Sequence, residues 1–107
     1  YTVDRASMTA DPKSARLVFT WPNGGHNGGC LRFGPDGMLY VSTGDGSGIA
    51  DSLETGQNLG TVLGKILRID INAKGENTPY GIPKDNPFVG KKEYRPEIFA
   101  LGARNPW

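Results

Sequence analysis

The stretch CLRFGPDGMLYVST, residues 30–43, decides the fold. Cys30–Phe33 and Met38–Thr43 are short runs with the aromatic and β-branched residues that strands favour. Between them, Gly34-Pro35-Asp36-Gly37 places proline and glycine where a tight β-turn needs them. The stretch therefore reads as a β-hairpin. Working outward, Ala15–Trp21 (ARLVFTW) reads as a buried strand, and Pro22–Gly29 (PNGGHNGG) is too glycine-rich for any regular element. Gly64–Ile71 (GKILRIDI) is a further strand, with Leu67, Ile69 and Ile71 on one face and Arg68 and Asp70 on the other. Glu97–Leu101 (EIFAL) is a last short strand before a turn at Gly102–Trp107. The polar N-terminal residues up to Asp11–Pro12 are expected to form a loop, and one helical turn is expected near Gln57–Leu63.

Four or five short strands among turns give an all-β class. The 16 glycines and 8 prolines in 107 residues agree with short strands rather than helices. The segments Gly44–Val62 and Asn72–Pro96 exceed the roughly 12–15 residues beyond which a structureless stretch in a compact domain usually serves function. Such loops suit propeller blades, whose connections gather around a site on one face. At about 40–45 residues per blade the chain would span about two, too few for a repeat to be detectable.

Charge and cysteine content exclude several classes. A net charge of +1 with scattered basic residues gives no footprint for nucleic acid or an anionic membrane surface. No apolar run is long enough for a transmembrane helix, and no signal-peptide pattern occurs in these residues. The single cysteine, Cys30, permits neither an intrachain disulfide nor a cysteine-based zinc site, and reads as a small buried apolar residue. A start at Tyr1 and a stop at Trp107 just after a turn suggest a processed product or a fragment.

Three residues carry the candidate chemistry. His26, the only histidine, sits in GGHNGG (24–29), where glycines remove bulk so that backbone and substrate can approach the ring. An imidazole accepts and releases a proton near neutral pH; the alternative is an inert turn histidine. Asp45 follows a strand in GDGSG (44–48). A carboxylate there can orient an imidazole and stabilise its charged form, or simply close an Asx-type turn. The glycine spacing matches neither a dinucleotide fingerprint nor a phosphate loop, and no EF-hand pattern is present. Arg104 lies with Asn105 in GARNP (102–106). A guanidinium there can stabilise negative charge on an oxygen and the amide can fix a polar ligand, unless Arg104 merely pairs with a nearby carboxylate. Gln57–Asn58, Lys65 and Lys84-Asp85-Asn86 read as structural or solvated, and no Ser–His–Asp or Cys–His pattern stands out.

Five runs, in order, resemble the glucose/sorbosone dehydrogenase family: HNGGCLRFGPDGMLY (26–40), GDG (44–46), LGKILRID (63–70), IPKDNPF (82–88) and GARNPW (102–107). The resemblance covers about Ala15 to Trp107. It implies part of a six-bladed β-propeller, residues 1–107, with a pyrroloquinoline quinone (PQQ) on the top face. It also implies oxidation of an aldose or related sugar by hydride transfer to the quinone, with electrons leaving to an acceptor such as a cytochrome or a dye. On this resemblance His26 is the general base, Asp45 the carboxylate that holds it, Arg104 the cation beside the quinone oxygens and Asn105 a cofactor contact. The family's calcium ligands are expected outside this chain, so none of its residues is assigned to metal. The remaining blades are expected from the rest of the protein or from other chains, and the compartment is expected to be periplasmic or secreted. The family also resembles non-enzymatic propellers, Hedgehog-interacting-protein-like domains among them, which implies the alternative of a binding module.

Overall fold

Strand pairing grows from the hairpin that the turn dictates. The computed structural model describes the whole chain, Tyr1–Trp107. Its strands are β1 (Val3–Asp4), β2 (Thr9–Ala10), β3 (Gly28–Phe33), β4 (Leu39–Thr43), β5 (Lys65–Ile69) and β6 (Ile98–Leu101). β3 to β6 form one antiparallel sheet in sequence order, a four-stranded meander, and β1–β2 make a separate ribbon. At the tip of the β3–β4 hairpin Gly37 donates to Gly34 O at 3.0 Å. Gly37 has φ +77°, a conformation that a side chain disfavours.

Register assigns the two faces. Leu39 pairs with Ile69 and Val41 with Leu67, while Tyr40 pairs with Arg68 and Ser42 with Ile66. The first set is the core face: Val41, Leu67, Ile69 and Ile98 are all at most 2 % exposed. Phe19, Trp21, Leu59 and Phe88 close over the cluster that Val41, Leu67 and Ile98 form with Val62. The alternation expected for residues 64–71 is therefore present, although the strand ends at Ile69 and Asp70 makes only an isolated bridge to Gly81.

Four expectations change. Ala15–Trp21 is not a strand. Phe19 and Trp21 are apolar because they cover the core cluster, and burial alone does not supply a ladder partner. No helical turn forms at Gln57–Leu63. Asn58 N donates to Thr55 O at 3.2 Å and Thr61 N to Asn58 O at 3.5 Å, separate turns that no i→i+4 ladder joins. The N-terminal segment is not wholly loop: it holds the β1–β2 ribbon and a 3-10 turn at Pro12–Ser14, capped by Asp11. Cys30 is half-buried rather than buried, since it lies on the open face with Arg32, Tyr40, Ser42 and Ile66.

The chain has length for about two blades, but its strands make one complete sheet and a ribbon. The balance is loop, knitted by backbone bonds: 25 of the 38 backbone–backbone hydrogen bonds lie outside the regular elements. Those loops position the site.

Candidate active site

Glycine brings the two loops at the end of β3 and β4 together through their backbones. A Cβ on Gly44 would stand 2.1 Å from His26 O, and one on Gly24 would stand 2.1 Å from Gly46 O. Such contacts are open only to residues without a side chain. The approach is fixed by hydrogen bonds from Gly44 N to Asn27 O (2.8 Å), Gly46 N to His26 O (3.0 Å) and Gly25 N to Gly46 O (3.0 Å). These glycines thus let one backbone lie on another, and this sets the histidine beside the aspartate.

His26 Nδ1 lies 2.9 Å from Asp45 Oδ1. The carboxylate is nearly sealed from solvent, with its side chain 3 % exposed against 16 % for the imidazole. Burial by itself would raise the Asp45 carboxyl. The Ser47 N–H, which donates to the same oxygen at 2.9 Å, and the His26 ring outweigh it and hold the group below its ordinary range. An ionised carboxylate only accepts, so Nδ1 carries the proton of the neutral ring and Nε2 keeps its lone pair. Nε2 has no partner within the chain and is the atom able to take a proton.

Arg104 and Asn105 reach the same place from the turn after β6. Asp45 N donates to Arg104 O at 2.9 Å, and Asn105 Oδ1 accepts from Gly28 N at 3.0 Å. The Arg104 guanidinium makes a single hydrogen bond, to Gly48 O at 3.4 Å. It pairs with no carboxylate, so its remaining N–H groups are free. A cavity of about 270 Å³ opens here, lined by Asp45, Asp51, Gln57 and Arg104 with the backbone of Gly56, Gly102 and Ala103. Asp45 and Arg104 therefore both line this cavity. His26 and Asn105 are not part of the lining: His26 is joined to it through its bond to Asp45, and Asn105 braces the histidine loop.

Sequence reasoning did not single out Asp51 and set Gln57 aside as structural or solvated. Asp51 anchors the loop, accepting from Thr55 N at 3.0 Å and Gly56 N at 2.9 Å. No motif announced it. Gln57, a polar residue in a long loop, lines the cavity and makes no side-chain hydrogen bond within the chain. The other polar motifs are structural. Arg68 joins Asp36 (2.9 Å) in the β3–β4 turn to Asp85 (2.8 Å) and Asn86 (3.1 Å), and the carboxylates of Asp85 and then Asp36 raise its already high pKa. This accounts for both GPDG and KDN.

A blade-like four-stranded sheet thus carries, at one loop end, a histidine–carboxylate pair beside a hollow lined by one guanidinium and two carboxylates. The glucose/sorbosone dehydrogenase family model matches residues 6–107, and the chain belongs to that family. The chain is similar to HIPL2 protein of Arabidopsis thaliana, 45 % identical over 103 residues, covering 86 % of this chain and 15 % of the relative. Human Hedgehog-interacting protein is 42 % identical over 109 residues, covering 99 % of this chain and 16 % of the relative. Among solved structures it is similar to an oxidoreductase (glucose dehydrogenase) from Thermus thermophilus. That likeness has 41 % identity and a TM-score of 0.60, and covers 83 % of this chain and 24 % of the other. The chain thus spans about a sixth of these curated relatives' length. Its all-β fold is part of a β-propeller. No helix is long and apolar enough to cross a membrane.

Proposed function

We propose that this segment supplies the proton-accepting and charge-stabilising side of a PQQ-dependent sugar dehydrogenase, as one part of a larger propeller. The observation that carries the reading is the His26–Asp45 pair, with Nε2 free, beside the Arg104 cavity. The donors present, a guanidinium with free N–H groups and the Gln57 amide, suit one edge of a carboxylate-bearing quinone; the Asp45 and Asp51 carboxylates of the same lining are already bonded, to His26 and Ser47 and to Thr55 and Gly56. Arg104 and Gln57 would hold it, with Asn105 steadying the loop beneath. Bound there, PQQ supplies the hydride-accepting chemistry. The chain's own groups do the rest. His26 Nε2 takes the hydroxyl proton of an aldose, which eases departure of hydride from the same carbon. Asp45 keeps the ring aimed and stabilises its cation. Arg104 would stabilise negative charge developing on an oxygen of the bound group.

Calcium is a different matter. Its ligands are proposed to lie elsewhere in the protein, and no step is assigned to it. The unpaired outer edges of β3 and β6, with Leu31 51 % and Phe33 61 % exposed, suit contact with further blades, so the isolated segment is expected to associate. A periplasmic or secreted site and an acceptor such as a cytochrome complete the proposal.

The test is dye-linked sugar oxidation by the intact protein loaded with PQQ and calcium. His26→Ala should abolish it, and full activity in that variant would overturn the assignment. A second reading, a binding module without turnover, draws on the likeness to Hedgehog-interacting protein over 99 % of the chain. Under it the loaded wild-type protein would bind PQQ or sugar and reduce no dye.

A further inference from the structure

Lys65 opens β5 and is completely buried, yet no carboxylate pairs with it. Its Nζ instead donates to three backbone carbonyls: Thr55 O at 2.7 Å, Gly56 O at 3.2 Å and Leu63 O at 2.7 Å. An ammonium has three donors, and here all are spent on one loop. Burying a charge this way is unfavourable without compensation. Burial drives the amine's pKa down, and only the more distant Asp51 opposes it.

The loop that Lys65 grips is the back of the cavity. Thr55 Oγ1 donates to Asp45 O at 2.5 Å, so this strip holds the aspartate wall. Gly56 O, which accepts from Lys65, also accepts from Gly102 N at 3.0 Å, so the same strip holds the turn that carries Arg104. Gly64, the residue before Lys65, is bonded to both sides as well, through Gly64 N to Gly44 O at 2.8 Å and Ala103 N to Gly64 O at 3.0 Å.

We infer that Lys65 is a positioning residue that ties the Asp45 wall of the cavity to the Arg104 wall. The inference rests on the cavity being the ligand site proposed above. It does not require Lys65 to touch any ligand. Its ammonium fixes the separation of a carboxylate-backed base and a guanidinium, the spacing on which binding between them depends.

The test is a double-mutant cycle on the intact protein, read as PQQ affinity by absorbance titration with calcium present. Arg104→Ala alone should weaken binding about tenfold or more, as expected for a lost charged contact. Lys65→Met, of similar length but unable to donate, should weaken it about fivefold in the wild-type background. In the Arg104→Ala background the same change should cost less than about twofold, because the wall it positions no longer contributes. A second readout needs no cofactor: exchange of the Gly102 amide hydrogen should accelerate about tenfold while the β4 amides keep their protection. Equal losses in both backgrounds, or unchanged Gly102 exchange, would overturn the role of Lys65 and leave the cavity reading intact. Undiminished binding by Arg104→Ala would overturn the cavity reading itself. Where Lys65→Met does not fold, Lys65→Arg keeps the charge, re-aims the donors and is judged in the same cycle by the same criteria.

Discussion

Replacing Gly44 with alanine changes no charge and removes no hydrogen-bonding group, yet it should damage both stability and turnover. The new Cβ would meet His26 O at 2.1 Å and His26 C at 2.4 Å, all backbone and unable to rotate away. Ordinary contact at about 3.5 Å requires the loops to part by roughly 1 Å or more. That movement breaks the bonds from Gly44 N to Asn27 O, Gly46 N to His26 O and Gly25 N to Gly46 O. At about 1 kcal/mol each, the loss is about 3 kcal/mol. The His26–Asp45 contact of 2.9 Å opens with the loops, and a misplacement of about 1 Å lowers turnover roughly a hundredfold. Urea unfolding and dye-linked sugar oxidation on the intact protein measure the two effects. Gly48→Ala is the control: nothing lies within 4 Å of its Cβ and its φ is not positive, so the change should stay within about 0.5 kcal/mol. A Gly44→Ala protein with wild-type midpoint and rate would refute the account of why these glycines are there.

Asp45→Asn should preserve the fold and lower kcat about a hundredfold, since the imidazolium loses its counter-charge. The Asp45 carboxyl titrates below its unfolded value, so its contribution to stability is present above the unfolded value of about 4 and is lost as pH falls through the lower folded one. Acid titrations of stability should therefore show a weaker low-pH fall in Asp45→Asn than in wild type. Leu67→Ala, at a position with no exposure, should cost about 2–5 kcal/mol in chemical denaturation. Arg68→Met should lower the unfolding midpoint and leave KM and kcat unchanged, because its partners Asp36, Asp85 and Asn86 stand away from the cavity lining; a changed KM would contradict that separation.

The parts of the fold that were readable from sequence are those fixed by local chemistry. The GPDG turn sets its own hairpin, and the alternation of residues 65–69 sets its own faces. Ala15–Trp21 misled because apolar periodicity reports burial, and burial is all that Phe19 and Trp21 achieve. At Gln57–Leu63 the chain makes separate turns, Asn58 N to Thr55 O and Thr61 N to Asn58 O, without the consecutive bonds of a helix. At the site, His26, Asp45 and Arg104 stood out as chemically capable residues in glycine-bounded loops. Asp51 and Lys65 act through backbone groups of their own loop and Gln57 through its place in the cavity lining, and no motif spacing in a single sequence marks such roles.

The junction between the histidine and aspartate loops has a consequence for anyone rebuilding this protein. Side chains can be exchanged one at a time because neighbours repack, but two main chains laid against each other share one shape. Residues 24–29 and 44–48 therefore form a single heritable cassette, to be transplanted, shuffled or redesigned as a pair. A graft carrying only the histidine half would deliver the reactive ring to a surface unable to receive it.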